Sequence, residues 1–172
     1  MLALMEVSFV RLLVDSSLCR GCRICELACS YFAFGAFNPR RSRVRVTELE
    51  EFGLDFPIVC RQCVKCVCIA ECPVEGALKR DPQTRAVIVD RDKCIGCGVC
   101  VEACPFGAVS LDLEDGLANI CNLCGGDPKC VKWCPSSVFS YVKDLSTMEQ
   151  KRRIKCATTI SKCSPGKNTP EA

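Results

Sequence analysis

Cys94-Ile-Gly-Cys97-Gly-Val-Cys100-Val-Glu-Ala-Cys104-Pro105 is the stretch that decides the fold. Its spacing, C-x2-C-x2-C-x3-C-P, is the thiolate signature of a [4Fe–4S] cluster, in which the fourth cysteine ligates the other cluster of a pair. Three thiolates two residues apart sit on a tight turn that wraps one cube. The x3 step lets the chain leave as a short helix, and the next thiolate points away toward a second cube. Pro105 has a fixed φ and no N–H to donate, so it helps to end that helix. Gly96 and Gly98 lie where backbone must pass close to the sulfides, and both are expected at positive φ.

Three further runs lie outward from this one. Cys19, Cys22, Cys25 and Cys29 repeat the spacing, with Gly21 inside the loop and Ser30 in place of the proline. Cys60, Cys63, Cys68 and Cys72 read C-x2-C-x4-C-x3-C-P, and Cys121, Cys124, Cys130 and Cys134 read C-x2-C-x5-C-x3-C-P. Together the runs supply sixteen of the chain's 19 cysteines, enough for four cubes. A disulfide framework suits small secreted chains, but the count is odd and no cleavable leader is evident. Zinc sites use CxxC pairs and leave the third and fourth members of each run idle. The chain contains no histidine, so Rieske centres, His-ligated haem and Cys/His zinc sites are excluded. Three clusters, or a [3Fe–4S] centre at one variant run, are the remaining alternatives.

The 172 residues make one domain or two small fused ones. Much of the interior is inorganic on this reading, so folding and metal binding are inseparable. The formal charge of +3 misleads. Four oxidised cubes of roughly −2 each, thiolates included, bring the total to about −5, which removes any argument for nucleic acid. The start of the chain, MLALMEVSFVRLLVDSS, is interrupted by Glu6 and Arg11 and reads as a first strand. Arg40-Arg41 is internal and has no apolar region after it, unlike a twin-arginine signal. No run of eighteen apolar residues exists to span a membrane. A cytoplasmic protein working where oxygen is scarce is expected.

An internal repeat organises the chain. Each of Cys72, Cys104 and Cys134 is followed by a turn and a short apolar strand. Strands at Val10–Asp15 and Ala86–Asp90 lead into the first and third runs. Strand, cluster loop, short helix, strand is a ferredoxin half-unit. The expected fold is therefore α+β, two interleaved dicluster ferredoxin-like modules built of short strands and helices around four clusters. Pairing of the runs can be sequential or nested. The gap between Cys72 and Cys94 is compact, whereas that between Cys29 and Cys60 is long and carries a hairpin, Arg43–Glu48 with Asp55–Val59. This favours the second and third runs as one module.

Over residues 8 to 142 the chain resembles the four-cluster polyferredoxin subunits that serve molybdenum or tungsten pterin enzymes. The stretches Gly35-AFNPRRSRVRV, Cys60-RQC and Cys121-NLCGGDPKCVKWCP resemble the small subunit of tungsten enzymes in the aldehyde ferredoxin oxidoreductase family, which includes ATP-independent benzoyl-CoA reductases. The resemblance implies nested pairing. Cys19, Cys22, Cys25 and Cys134 then hold one cube, and Cys121, Cys124, Cys130 and Cys29 its neighbour. Cys60, Cys63, Cys68 and Cys104 hold a third, and Cys94, Cys97, Cys100 and Cys72 the fourth. It also implies a polyferredoxin domain over 1–142, with an inner module at about 58–112 and an outer one at about 8–34 plus 113–142. The implied role is non-catalytic. Single electrons are relayed between a large tungstopterin subunit and a redox partner such as a flavin subunit or ferredoxin. The alternatives are a free-standing polyferredoxin carrier and the iron–sulfur subunit of a molybdopterin oxidoreductase of the DMSO-reductase type.

Residues outside the ligand set carry further expectations. Cys66 offers a competing register in the second run, but a five-residue last gap loses the helix exit; Cys68 is preferred, with Cys66 a small buried hydrophobe. Cys156 and Cys163 share a stripe of a tail helix, Ser146 to Lys162, within a C-terminal segment 143–172 suited to partner docking. Trp133 is expected to shield sulfides, and Phe32, Phe34, Phe37 and Phe106 to lie in the core. Arg40, Arg41, Arg43 and Arg45 alternate as on a strand, giving either a solvated face or a docking face. Lys151-Arg152-Arg153 reads as a solvated helix face, and SPGKNTPEA as a disordered end.

Overall fold

The fold was analysed in a computed structural model that describes residues 11–142. The expected tail helix, with Cys156 and Cys163, lies outside the described residues. Residues Val10–Tyr141 form one compact unit.

Four two-stranded ribbons frame the unit. They pair β1 (Arg11–Val14) with β8 (Phe139–Val142), β2 (Val44–Leu49) with β3 (Leu54–Val59), β4 (Leu78–Arg80) with β5 (Val87–Val89), and β6 (Ser110–Leu111) with β7 (Ala118–Asn119). The last three are antiparallel. The first strand joins the last, and the Asp15 N–H donates to the Val138 carbonyl at 2.8 Å, so the two ends of the unit close on each other.

Four helices leave the four cysteine runs: α1 (Ile24–Phe34), α2 (Val67–Ala70), α3 (Val99–Glu102) and α4 (Lys129–Trp133). Three are single turns that stop just before Cys72, Cys104 and Cys134, each followed by proline. Helix α1 is eleven residues long. Ser30 stands where the others have proline, and its hydroxyl donates to the Leu27 carbonyl and accepts the Asn38 N–H. The helix therefore continues until Gly35 ends it at φ 74°.

The core interleaves aliphatic side chains with thiols. Val44, Val46 and Val59 face inward from the β2–β3 ribbon and meet Leu78, Val87, Ile120, Leu123, Val138 and Phe139, with Cys25, Cys60, Cys100, Cys121 and Cys130 among them. Three of the four phenylalanines expected in the core are on the surface, Phe32, Phe37 and Phe106 being 46, 69 and 39% exposed. Phe139 is the phenylalanine that enters the core among the described residues, 3% exposed. Tyr31 stacks on Phe37 at 4.6 Å, Phe32 lies 6.2 Å from Trp133, and Trp133 is itself half exposed.

Within the arginine series, Arg40 is exposed as on a solvated face, whereas Arg41 and Arg43 turn to partners inside the chain. Arg41 grips Asp112 through two nitrogens, at 2.9 and 2.8 Å, and pairs with Glu114. Arg43 donates to the Asn119 and Asn122 side chains at 3.0 and 2.8 Å. Both guanidinium groups lie over the Phe34 ring. These side chains fasten the segment before β2 to the β6–β7 ribbon, which the alternation of charge along the sequence could not reveal.

Candidate metal centres

None of the 17 cysteines in the described residues is joined in a disulfide. The third run forms a cradle of its own. A solvent-open hollow is lined by Cys94, Cys97 and Cys100 together with Cys72 from the second run. Gly96 and Gly98 in this loop have φ of 67° and 80°. A Cβ at Gly96 would come 2.6 Å from the Gly116 carbonyl oxygen, so the loop closes on its neighbour only with glycine there. The Cys100 thiol is pushed up by burial and by Cys94, Cys97 and Cys72, and Cys94 Sγ accepts the Ala118 N–H at 3.5 Å.

The second run meets the exit cysteine of the third. Burial, then Cys63, Cys104 and Cys66, push the Cys60 thiol up to about 11 against the pull of the Gln62 N–H. Cys68 rises to about 12 through burial and the proximity of Cys66, Cys60 and Cys104. Cys66 sits alongside, half-buried. It donates to the Cys63 carbonyl at 3.1 Å and receives an N–H from Arg80 at 2.9 Å.

The fourth run surrounds Cys29. Cys121 is raised by burial and then, past an opposing Leu123 N–H, by Cys29, Cys60 and Cys124. Cys130 is raised by burial and by Cys121, Cys29, Cys124 and Cys25. Cys124 is raised by burial and Cys29, with Arg43 and Lys129 pulling the other way. The Arg43 N–H donates to Cys29 Sγ at 3.3 Å. The first run gathers Cys134: burial, Glu26, Cys134 and Cys19 push Cys25 up to about 12. Cys134 Sγ accepts the Val138 N–H at 3.4 Å. In the same loop, the Asp55 carboxylate lies over Gly21, 2.5 Å from where a Cβ would stand.

This donor chemistry fits an iron–sulfur cube. Buried thiols raised to about 11 or 12 stay protonated unless cationic metal stands beside them, and metal deprotonates them outright. Thiolate-only sets select iron–sulfur clusters or zinc. Among the described residues no three acidic or thiol side chains converge as they must on a single ion; a cube's four ligands stand apart around its corners.

Neighbouring sets lie within electrostatic reach of one another. Cys130 feels Cys25, and Cys121 feels Cys60. Gln62, 2% exposed, donates to the Cys121 carbonyl at 2.6 Å and accepts the Val87 N–H at 2.8 Å. Its role was hidden in the sequence, where it is one of two polar residues between Cys60 and Cys63. Arg80 was hidden in the same way, because it stands 14 residues beyond Cys66, the sulfur it meets. Only Cys22 and Cys97 are exposed among the described thiols.

The comparisons agree with this chemistry. Residues 52–144 match the 4Fe-4S dicluster domain family, and residues 16–31 a 4Fe-4S binding domain. The polyferredoxin-like subunit of an aliphatic sulfonate oxidoreductase from Pyrococcus furiosus is 44% identical over 77% of this chain and 75% of its own length. The thiosulfate reductase electron transfer subunit PhsB of Salmonella typhi is 34% identical over 76% of this chain and 73% of that protein. Other relatives are longer, and the chain spans 29 and 54% of two of them. Among solved structures, the chain matches the BamBC active site complex of benzoyl coenzyme A reductase with benzoyl-CoA at TM-score 0.49 and 29% identity, over 91% of this chain and 92% of that one. With four thiol sets of this kind and a relative at 44% identity, the chain belongs to the 4Fe-4S dicluster domain family, among the iron–sulfur electron-transfer subunits of oxidoreductase complexes.

Proposed function

We propose that four [4Fe–4S] clusters bind in nested pairs and form one wire through the chain. The ligand sets are Cys19, Cys22, Cys25 and Cys134; Cys121, Cys124, Cys130 and Cys29; Cys60, Cys63, Cys68 and Cys104; and Cys94, Cys97, Cys100 and Cys72. The observation that carries this reading is the company each buried thiol keeps: Cys29 stands with the fourth run, Cys134 with the first, Cys104 with the second and Cys72 with the third. Two ferredoxin-like modules follow, an inner one at about 58–112 and an outer one at about 8–34 plus 113–142.

When bound, each cluster supplies a one-electron redox centre. The protein's own part is to hold, space and shield them. The electrostatic influence of Cys25 on Cys130, and of Cys60 on Cys121, supports a linear order in which the 19/22/25 set comes first and the 94/97/100 set last. The N–H groups of Arg43, Ala118 and Val138 that point at sulfur hold ligands in place and favour added negative charge. The loops of Cys22 and Cys97, exposed at the two ends of this order, are the places where electrons enter and leave.

The partner on this reading is a large tungstopterin subunit of the aldehyde ferredoxin oxidoreductase family, with a flavin subunit or ferredoxin at the other end. The resemblance of the residue 35–46, 60–63 and 121–135 stretches supports it, and similarity to the polyferredoxin-like subunit of an aliphatic sulfonate oxidoreductase supports an oxidoreductase as the partner. Cysteines kept out of disulfides for cluster binding favour a reducing compartment, the cytoplasm. Among the described residues no helix is long and apolar enough to cross a membrane. Anaerobic purification from the native source tests the proposal. Copurification with a large tungsten-containing chain, and about sixteen irons per copy, is expected from four clusters with four thiolates each. A freely diffusing monomer would overturn the partner assignment, and about twelve irons would overturn the four-cluster count.

A further inference from the structure

Cys66 is the one thiol of the described residues that the four ligand sets leave over, and its sulfur accepts a hydrogen bond from the Arg80 guanidinium. Arg80, at the end of β4, reaches into the loop between Cys63 and Cys68. One guanidinium nitrogen donates to the Cys63 carbonyl, to the Val64 carbonyl at 3.4 Å and to Cys66 Sγ at 2.9 Å; the other is fixed by the Arg85 carbonyl at 2.6 Å. Cys66 completes the ring by donating its own S–H to the Cys63 carbonyl at 3.1 Å. The other basic side chains of this run, Arg61 and Lys65, are exposed to solvent, and Arg61 lies over the Phe106 ring, 4.5 Å from its centroid.

We infer that Arg80 and Cys66 form an electrostatic clamp that raises the reduction potential of the centre held by Cys60, Cys63, Cys68 and Cys104, with Cys66 a hydrogen-bonding mediator and not a ligand. The inference rests on the four-cluster reading above. A guanidinium is charged at every working pH and is held here by three carbonyls and a sulfur. Charge beside a cluster, and hydrogen bonds near its sulfurs, are what set its potential. Reduction adds one negative charge to the centre, and a cation fixed beside its loop stabilises that state over the oxidised one. Cys66, engaged at both its donor and acceptor positions, is turned toward Arg80. Arg80 is thus a positioning residue, acting on the centre through the loop it holds.

Anaerobic redox titration of the full iron-loaded chain, followed by EPR, tests the clamp. Arg80→Gln keeps the wild-type iron content and shifts one of four centres to lower potential by at least a tenfold change in its reduced-to-oxidised ratio, about 59 mV for one electron, while the other three stay in place. Arg80→Lys recovers most of that shift. Cys66→Ala keeps all four centres and moves the same one in the same direction by a smaller amount. Four unmoved potentials in Arg80→Gln overturn the inference, and so does loss of about four irons in Cys66→Ala, which makes Cys66 a ligand. Should Arg80→Gln fail to load that centre, the Cys66→Ala titration decides by the same criterion. A wild-type chain without a centre at Cys60, Cys63, Cys68 and Cys104, seen as unchanged iron content in Cys68→Ser, would instead sink the four-cluster reading.

Discussion

Gln62 shows how much one side chain can do between two metal loops. Its φ of 50° places it in the left-handed region, and its buried amide satisfies the Cys121 carbonyl and the Val87 N–H at once. Leucine fills similar space but leaves both backbone groups unpaired, at about 1–3 kcal/mol each. Gln62→Leu is therefore expected to lower the denaturant midpoint of the loaded chain and to speed bleaching of its visible absorbance. Glycine gives a second residue-scale contrast. Gly96→Ala drives a Cβ against the backbone of Gly116, whereas Gly98, also at positive φ, has open space around it. Alanine at 98 carries only the left-handed penalty of about 1–2 kcal/mol; at 96 it must also displace backbone, and it should lose the Cys94/Cys97/Cys100 centre first. Iron content and EPR of the two variants measure the difference.

At the scale of elements, the ribbon and cluster-loop pattern was legible because it is written in spacing. Val44 and Val46 alternate with polar residues and pair with Val59 and Pro57, and proline after each exit cysteine marks where α2, α3 and α4 stop. What joins the elements was not legible. Arg41, Arg43 and Arg91 meet partners more than twenty residues away, and the repeating charge pattern of residues 40–45 on its own matches any solvated strand. Nor could composition say that Phe32 and Phe37 lie outside while Phe139 lies in the core. The Arg41–Asp112 lock carries a pH signature. Burial alone would raise the Asp112 carboxyl; the Arg41 fork, the Glu114 N–H and Arg91 outweigh it and hold it below its ordinary 3.8. A depressed carboxyl contributes stability that is full above its unfolded value and is lost as pH falls through the lower folded value. Asp112→Asn should therefore be less stable than wild type at neutral pH, and the gap should narrow as the medium is acidified below 3.8. Denaturant midpoints at a series of pH values check it, and a gap that widens on acidification would contradict the lock.

For the whole molecule, the sequence left the pairing of runs open between sequential and nested, because spacing describes only what happens within a run. The structure adds long-range proximity: β1 lies beside β8, and Cys29 stands among Cys121, Cys124 and Cys130. A chain wired this way cannot form its outer centres until its last run has been made, so the first run waits for Cys134 while the inner pair is complete at Cys104. The two pairings differ in how losses combine. In the nested arrangement Cys29 and Cys121 serve one centre, so Cys29→Ser, Cys121→Ser and the double variant each lose the same cluster and retain about twelve irons. In the sequential arrangement the two cysteines belong to different centres, and the double variant falls to about eight. Iron analysis of the three purified chains, with EPR to confirm that a single signal disappears each time, separates the two arrangements.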